Sequence, residues 1–228
     1  NGNPESLKRP QPDDVTGTDL LDHGDDKEDY RWNFLVENGG ARDDYGRLIE
    51  LAKILGGSSS VVRARVEDVL DVDEALRMYA VYSLCGIRDS YFFASNPHNV
   101  MLYLRPSDER FLLFHWDADW AFGRDPTDSL WGSENVGKLM QFPPYQRLFL
   151  DHMRDMMEST FNTSYMTYWT SHYGRLAEEE ASFARALRFI GQRQAFVSRR
   201  LPPRVPFEIT SNGGEDIYVN AARTTLEG

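Results

Sequence analysis

Cysteine is almost absent from this 228-residue chain: Cys85 stands alone. That excludes an intrachain disulfide framework and any cysteine-based zinc cluster. Lysine is scarce as well, with 4 residues against 21 arginines. Positive charge as a whole falls short, because 25 Lys plus Arg face 36 Asp plus Glu for a formal net charge of −11. The balance argues against a nucleic-acid partner, which needs a basic face to meet phosphates. No apolar run approaches the roughly 20 residues of a membrane-spanning helix. What is present is a core: 41% hydrophobic and 13% aromatic residues supply enough apolar surface to exclude global disorder. The length suits one large domain, or one domain and part of another. The chain opens Asn1-Gly2-Asn3-Pro4 with neither initiator Met nor an apolar targeting segment, and it is expected to be an excerpt of a longer protein.

Residues 1–30 are rich in Pro, Gly and Asp and read as loop. The acidic run Asp25-Asp26-Lys27-Glu28-Asp29 lacks the alternating ligand spacing of a calcium loop and reads as a solvated segment. From Asp43 the apolar period turns helical through Tyr45, Leu48, Ile49, Leu51, Ala52 and Leu55, and Gly56-Gly57 stops it. Ser58–Ser60 can cap a second helix through Leu70. Asp71 or Asp73 opens a third, whose Ala75, Leu76, Tyr79, Ala80, Tyr82, Ser83 and Leu84 read as core. Cys85 lies on that apolar stretch and reads as packing, with no neighbouring base or cation to activate it.

Val100–Leu104 and Phe111–Trp116 then read as strands around the turn Pro106–Glu109, a β-hairpin. Gly and Pro punctuate 123–144. Two long helices are expected over 144–160 and 162–200, the second broken near Gly174, with six arginines between Arg185 and Arg204 forming a solvated face. Asn212-Gly213-Gly214 between Val205–Thr210 and Asp216–Val219 signals a further hairpin. Asn162-Thr163-Ser164 fits the glycosylation acceptor triplet.

Chemistry concentrates between Arg88 and Gly123. Asp89 follows a helix, Asn99 opens the first strand, and Asp117 and Asp119 follow the second. Acids at a hairpin mouth stand in a cleft while apolar strands anchor them. Phosphoryl transfer needs one carboxylate on a metal, another to position the attacking hydroxyl, and an amide oxygen can complete the metal shell. The order Asp, Asn, Asp follows the catalytic-loop and metal-aspartate layout of protein kinases. A pair of strand-end aspartates is also an ordinary capping arrangement.

The motifs Asp89-Ser90-Tyr91, Pro97-His98-Asn99-Val100-Met101-Leu102-Tyr103 and Leu113-Phe114-His115-Trp116-Asp117-Ala118-Asp119-Trp120-Ala121-Phe122-Gly123 resemble those of the CotH kinase family, the spore coat protein H-like atypical kinases. The helix over Asp44–Leu55 and the entry Leu70-Asp71-Val72-Asp73 are similar to family segments too. His115 departs from the pattern, standing where the family usually has Pro, as does Val100-Met101 at the start of the strand. The resemblance implies an α+β, atypical protein-kinase-like fold: a mostly helical C-lobe with a β-hairpin carrying the metal site. It implies a kinase-like domain over 1–204, its small lobe mostly upstream, and the start of a β-rich extension over 205–228.

It further implies ATP and Mg²⁺ or Mn²⁺ as cofactors and transfer of the γ-phosphoryl group to exposed serines of surface or coat proteins, in an extracellular or cell-surface setting. Asp89 matches the catalytic aspartate, Asp117 the metal aspartate and Asn99 the asparagine between them. Asp119 takes a supporting or second-metal place, and His98 is a turn or functional histidine. The alternative is a kinase-like scaffold, weak or inactive, serving as an interaction module of a multidomain secreted protein. A third reading binds carbohydrate through Trp116, Trp120 and Trp131, although aromatics beside a strand end are more often core.

Overall fold

The computed structural model describes residues 20–31, 34–36, 43–93, 99–132, 134–204 and 209–227. Its centre is the helix that Asp71 starts. The Asp71 carboxylate accepts the Glu74 N–H at 3.2 Å, satisfying one of the donors that every helix start leaves unpaired. The chain ends this helix at Gly86, in the left-handed conformation with φ +67°, where a Cβ would come within 2.8 Å of the Phe189 ring. A short α1 (Glu28–Arg31) precedes α2 (Gly46–Gly56), α3 (Ser59–Val69) and this central α4 (Val72–Cys85). Val62, Val66 and Val69 of α3 and all the expected core positions of α4 are buried. At the heart of the core, Tyr79 lies between two rings, stacked on Phe149 at 4.5 Å and on Phe92 at 5.4 Å.

The hairpin is as read, with β1 (Val100–Leu104) antiparallel to β2 (Phe111–His115) in the register Val100↔His115 to Leu104↔Phe111. The side-chain period of two sends Phe111 and Leu113 into the core and leaves Met101, Tyr103 and Phe114 exposed. Leu70 forms a parallel bridge with Phe111, and the Asp71 N–H donates to the Phe111 carbonyl at 3.0 Å. The start of α4 is thus sewn to β2. Arg105 forks onto Asp108 at 2.8 and 2.5 Å and reaches Asp71 at 3.0 Å, closing the hairpin turn onto the same junction.

After the hairpin come α5 (Glu134–Met140), α6 (Pro143–Ser159), α7 (Thr163–Leu176) and α8 (Glu180–Ser198). Several expectations change here. α5 forms within the stretch read as Gly- and Pro-punctuated loop, and α1 within the acidic loop. That loop is ion-paired as well: Asp25 meets Lys53, and Asp43 bridges Lys27 and Arg31. The second long helix does break near Gly174, over 177–179, and the glycine itself lies buried inside the last turn of α7. A Cβ there would stand 3.3 Å from Phe183 Cβ and 3.2 Å from the Glu180 backbone, so this glycine serves the close approach of α8 and not a break. Asn162 caps α7, accepting the Tyr165 N–H at 2.9 Å while its own amide donates to the carbonyls of Met157 and Ser159.

Downstream, Asp216–Val219 forms no strand among the described residues; Ser211–Gly214 is a 3-10 turn and the segment 209–227 is exposed apart from the half-buried Ser211. The turn signal was real, but Asp216–Val219 find no partner ladder among the described residues. Val205–Glu208 lie outside the described residues.

Candidate functional site

The end of α4 organises the candidate site. A helix leaves its last four carbonyls without intrahelical donors. Here the carbonyl of Cys85 accepts the N–H of Phe122 at 2.8 Å, which brings the segment after β2 back onto the helix end. One turn earlier, the Tyr82 hydroxyl lies against Trp116, taking its N–H at 2.9 Å and lying 3.2 Å from its carbonyl. Both ends of the segment Trp116–Phe122 are therefore pinned to α4. A buried tyrosine needs a partner for its hydroxyl, and Tyr82 finds one at the strand end. Burial raises its pKa, and the neighbouring Asp117 charge adds to the rise.

Between those pins, Asp117 is exposed with φ +52° and Ala118 starts a turn closed by the Ala121 N–H. Phe122 then adopts φ +62°, and Asn99, just before β1, φ +55°. Left-handed backbone is costly for residues other than glycine and gathers where the surroundings over-determine it, often at functional sites. The Asn99 side-chain amide donates to the backbone carbonyl of Asp89 at 3.0 Å. Since Val100 pairs with His115, Asn99 and Asp117 leave the same end of the hairpin. The structure thus joins Asp89, Asn99 and Asp117 at one locality, between the end of α4 and the open end of the sheet. Asp119 is exposed on the intervening turn. His98 lies outside the described residues.

Among the described residues, no three His, Cys, Asp or Glu side chains converge on a common metal position. The donors on hand are two carboxylates, Asp117 and Asp119, and the Asn99 amide. Such an oxygen set fits Mg²⁺, which binds through one or two carboxylates and fills its shell with water and substrate phosphates. Cys85 supplies no nucleophile, since burial pushes its thiol up to about 12.

Two sequence readings are corrected around the site. Trp116 and Trp120, each 55% exposed, and Trp131, 44% exposed, are surface rings and not core. The six arginines between Arg185 and Arg204 do not form one solvated face, because Arg193 is fully buried. Sequence reasoning also missed Tyr82 as a site-shaping residue. Its hydroxyl was the available signal, a polar tip on the buried side of a helix. On the far side of Phe122, an aromatic groove of about 450 Å³ opens between α7 and α8, lined by Trp169, Tyr173, Phe183 and Ile190 among others.

Compared with known proteins, residues 7–184 match the model of the family described as CotH kinase protein. No curated protein matches the chain. The matched span contains Asp89, Asn99, Asp117 and Asp119.

Proposed function

The chain belongs to the CotH kinase protein family, and from that premise we propose that it transfers the γ-phosphoryl group of ATP to serine hydroxyls of a protein substrate. Asp89 orients the hydroxyl and takes its proton as the oxygen attacks phosphorus; the bond from the γ-phosphorus to the bridging oxygen breaks, and ADP leaves. Asp117 and Asn99, with Asp119 in support, would hold a divalent cation, Mg²⁺ or Mn²⁺. That cation, when bound, neutralises charge on the phosphates. Positioning and charge neutralisation carry such a reaction, since the protein contributes little covalent chemistry.

The observation that supports this most is the hydrogen bond from the Asn99 amide to the Asp89 carbonyl. It ties one member of the proposed ligand set, at the entrance to β1, to the segment holding the base. An extracellular or cell-surface setting and surface or coat proteins as substrates belong to the same proposal and rest on the resemblance alone. A scaffold role is the second reading. It is favoured by the exposed rings of Tyr103 and Phe114 on the outer hairpin face and of Trp116 just after β2, since such surfaces suit partners.

The test is a thermal-shift titration with ATP and Mg²⁺ or Mn²⁺, followed by transfer to a serine-containing protein. Wild type is expected to gain metal-dependent stability on ATP addition. Asp117→Ala should lose that gain with little change in its unliganded Tm. Asp89→Ala should keep it while transfer falls by about 10²–10⁴-fold, the range for losing a general base. No nucleotide-dependent shift in wild type moves the assignment to the scaffold. A shift lost in Asp89→Ala alone reverses the two roles.

A further inference from the structure

The candidate site depends on what holds the end of α4, and one side chain there comes from far along the chain. Arg193 of α8 is 1% exposed. Its Nε and Nη2 donate to the Ser83 carbonyl at 3.2 and 2.7 Å, and its Nη1 donates to the carbonyls of Pro126 at 3.0 Å and Asp128 at 2.6 Å. Ser83 lies in the last turn of α4, so its carbonyl is among those the helix leaves unpaired. A cation at this end also meets the negative pole of the helix.

The clamped segment is fastened further: the hydroxyls of Tyr79 and Ser83 both donate to the Leu130 carbonyl, at 2.7 and 3.2 Å. Arg88, next to Asp89, reaches the Asp128 carboxylate at 4.0 Å and the Ser129 carbonyl at 3.5 Å. Among the described residues, the hydrogen bonds of the buried guanidinium all go to backbone carbonyls. Burial pushes its pKa down to about 10, so it remains a cation at neutral pH. Desolvating a charge with no carboxylate hydrogen-bonded to it among the described residues is costly even with the Asp128 charge nearby, and an apolar chain would fill the space more cheaply. The planar fork, by contrast, can hold three carbonyls from two segments at once.

We propose that Arg193 is a positioning residue for the candidate site: it locks segment 126–128 to the C-terminal end of α4 and so fixes where Asp89 and Asp117 stand relative to each other. The catalytic meaning rests on the kinase reading above; the mechanical part does not. The loop that follows Phe122 cannot shift while its carbonyls are held by α8. The Cys85 carbonyl that receives Phe122 lies two residues beyond the carbonyl that receives Arg193.

The experiment compares the full chain as wild type, Arg193→Lys and Arg193→Met by hydrogen exchange and by phosphoryl transfer at varied ATP and protein substrate. Arg193→Met is expected to lose at least tenfold protection in 83–93 and 117–132, with α2 and α3 unchanged. kcat should fall at least tenfold with the KM for ATP within about threefold, and Arg193→Lys should recover part of both. If Arg193→Met unfolds, Arg193→Lys decides by the same readouts, since it keeps charge and bulk but not the fork. Protection lost evenly across the chain, or activity falling only in step with the folded fraction, overturns the proposal and leaves Arg193 a plain stabiliser. If wild type shows no nucleotide binding or transfer, the kinase reading fails. The exchange pattern then decides alone whether Arg193 holds the two segments together.

Discussion

α4 and α7 are both 14 residues long, yet they live in different surroundings. α4 buries eight of its residues, from Val72 to Leu84, and is packed from several sides. α7 buries only Thr170 and Gly174. Its aromatic side chains contact one another at the surface: Tyr168 stacks on His172 at 6.0 Å and Trp169 on Tyr173 at 5.9 Å. Helix-surface pairs of this kind contribute tenths of a kcal/mol each, about 0.2–0.5. A core ring contributes several, because its removal loses transfer energy and leaves a cavity. The two helices therefore serve different ends. α4 is a rigid post whose C-terminal carbonyls position the candidate site, whereas α7 is one wall of an open groove, held by a glycine-mediated approach to α8.

The sharpest way to break this contrast is Tyr79→Ala. It removes a ring stacked between Phe149 and Phe92 and the hydroxyl bonded to the Leu130 carbonyl. A loss of about 3–5 kcal/mol is expected in urea unfolding, a large share of a typical domain's stability. A loss below about 1 kcal/mol would show that α4 is not the post described.

A subtler effect concerns Glu74, which α4 turns toward β2 to accept the Leu113 N–H at 2.8 Å. Burial raises its pKa above the ordinary glutamate value, against the lowering effect of that hydrogen bond. The folded state then binds more protons than the unfolded one just above that ordinary value, so stability falls as pH rises through the folded pKa. Glu74→Gln keeps an acceptor and removes the charge. Its Tm should exceed wild type at pH 7, and the gap should close as the pH falls toward 4. A gap that widens on acidification would reverse the sign of the shift. The smallest effect belongs to Tyr168→Ala on α7. The ring is 65% exposed, and the change should stay within about 0.5 kcal/mol. A larger loss would mean that the ring ladder contributes more to α7 than its exposure indicates.

Much of the post was legible in the sequence because its signals are local. Asp71, one of two candidate starts, opens α4, and its apolar period names the buried face. The hairpin was legible from its turn, but not which side faces inward, since both strands are apolar almost throughout. α5 escaped notice because seven residues with Gly137 in their midst carry no clear period. For the candidate site, motif and spacing singled out Asp89, Asn99 and Asp117, whose roles belong to the proposal. Arg193 was not legible: its partners Ser83 and Asp128 stand 110 and 65 positions away. Nothing in a run of arginines marks the one that turns inward. The exposed tryptophans escaped for a related reason, since composition reports apolar surface without saying where the core runs out.

Asn162 carries a further consequence. The nitrogen that holds the end of α6, donating its hydrogens to the Met157 and Ser159 carbonyls, is the same nitrogen an oligosaccharide would occupy in a host that modifies the triplet Asn162-Thr163-Ser164. A sugar linked there leaves that amide one hydrogen, so it cannot keep both the Met157 and Ser159 carbonyls. Folding and modification thus compete for one atom, and their order in time decides whether the turn from α6 into α7 is tied by both amide hydrogens or by one, while the oxygen that caps α7 stays free to accept the Tyr165 N–H.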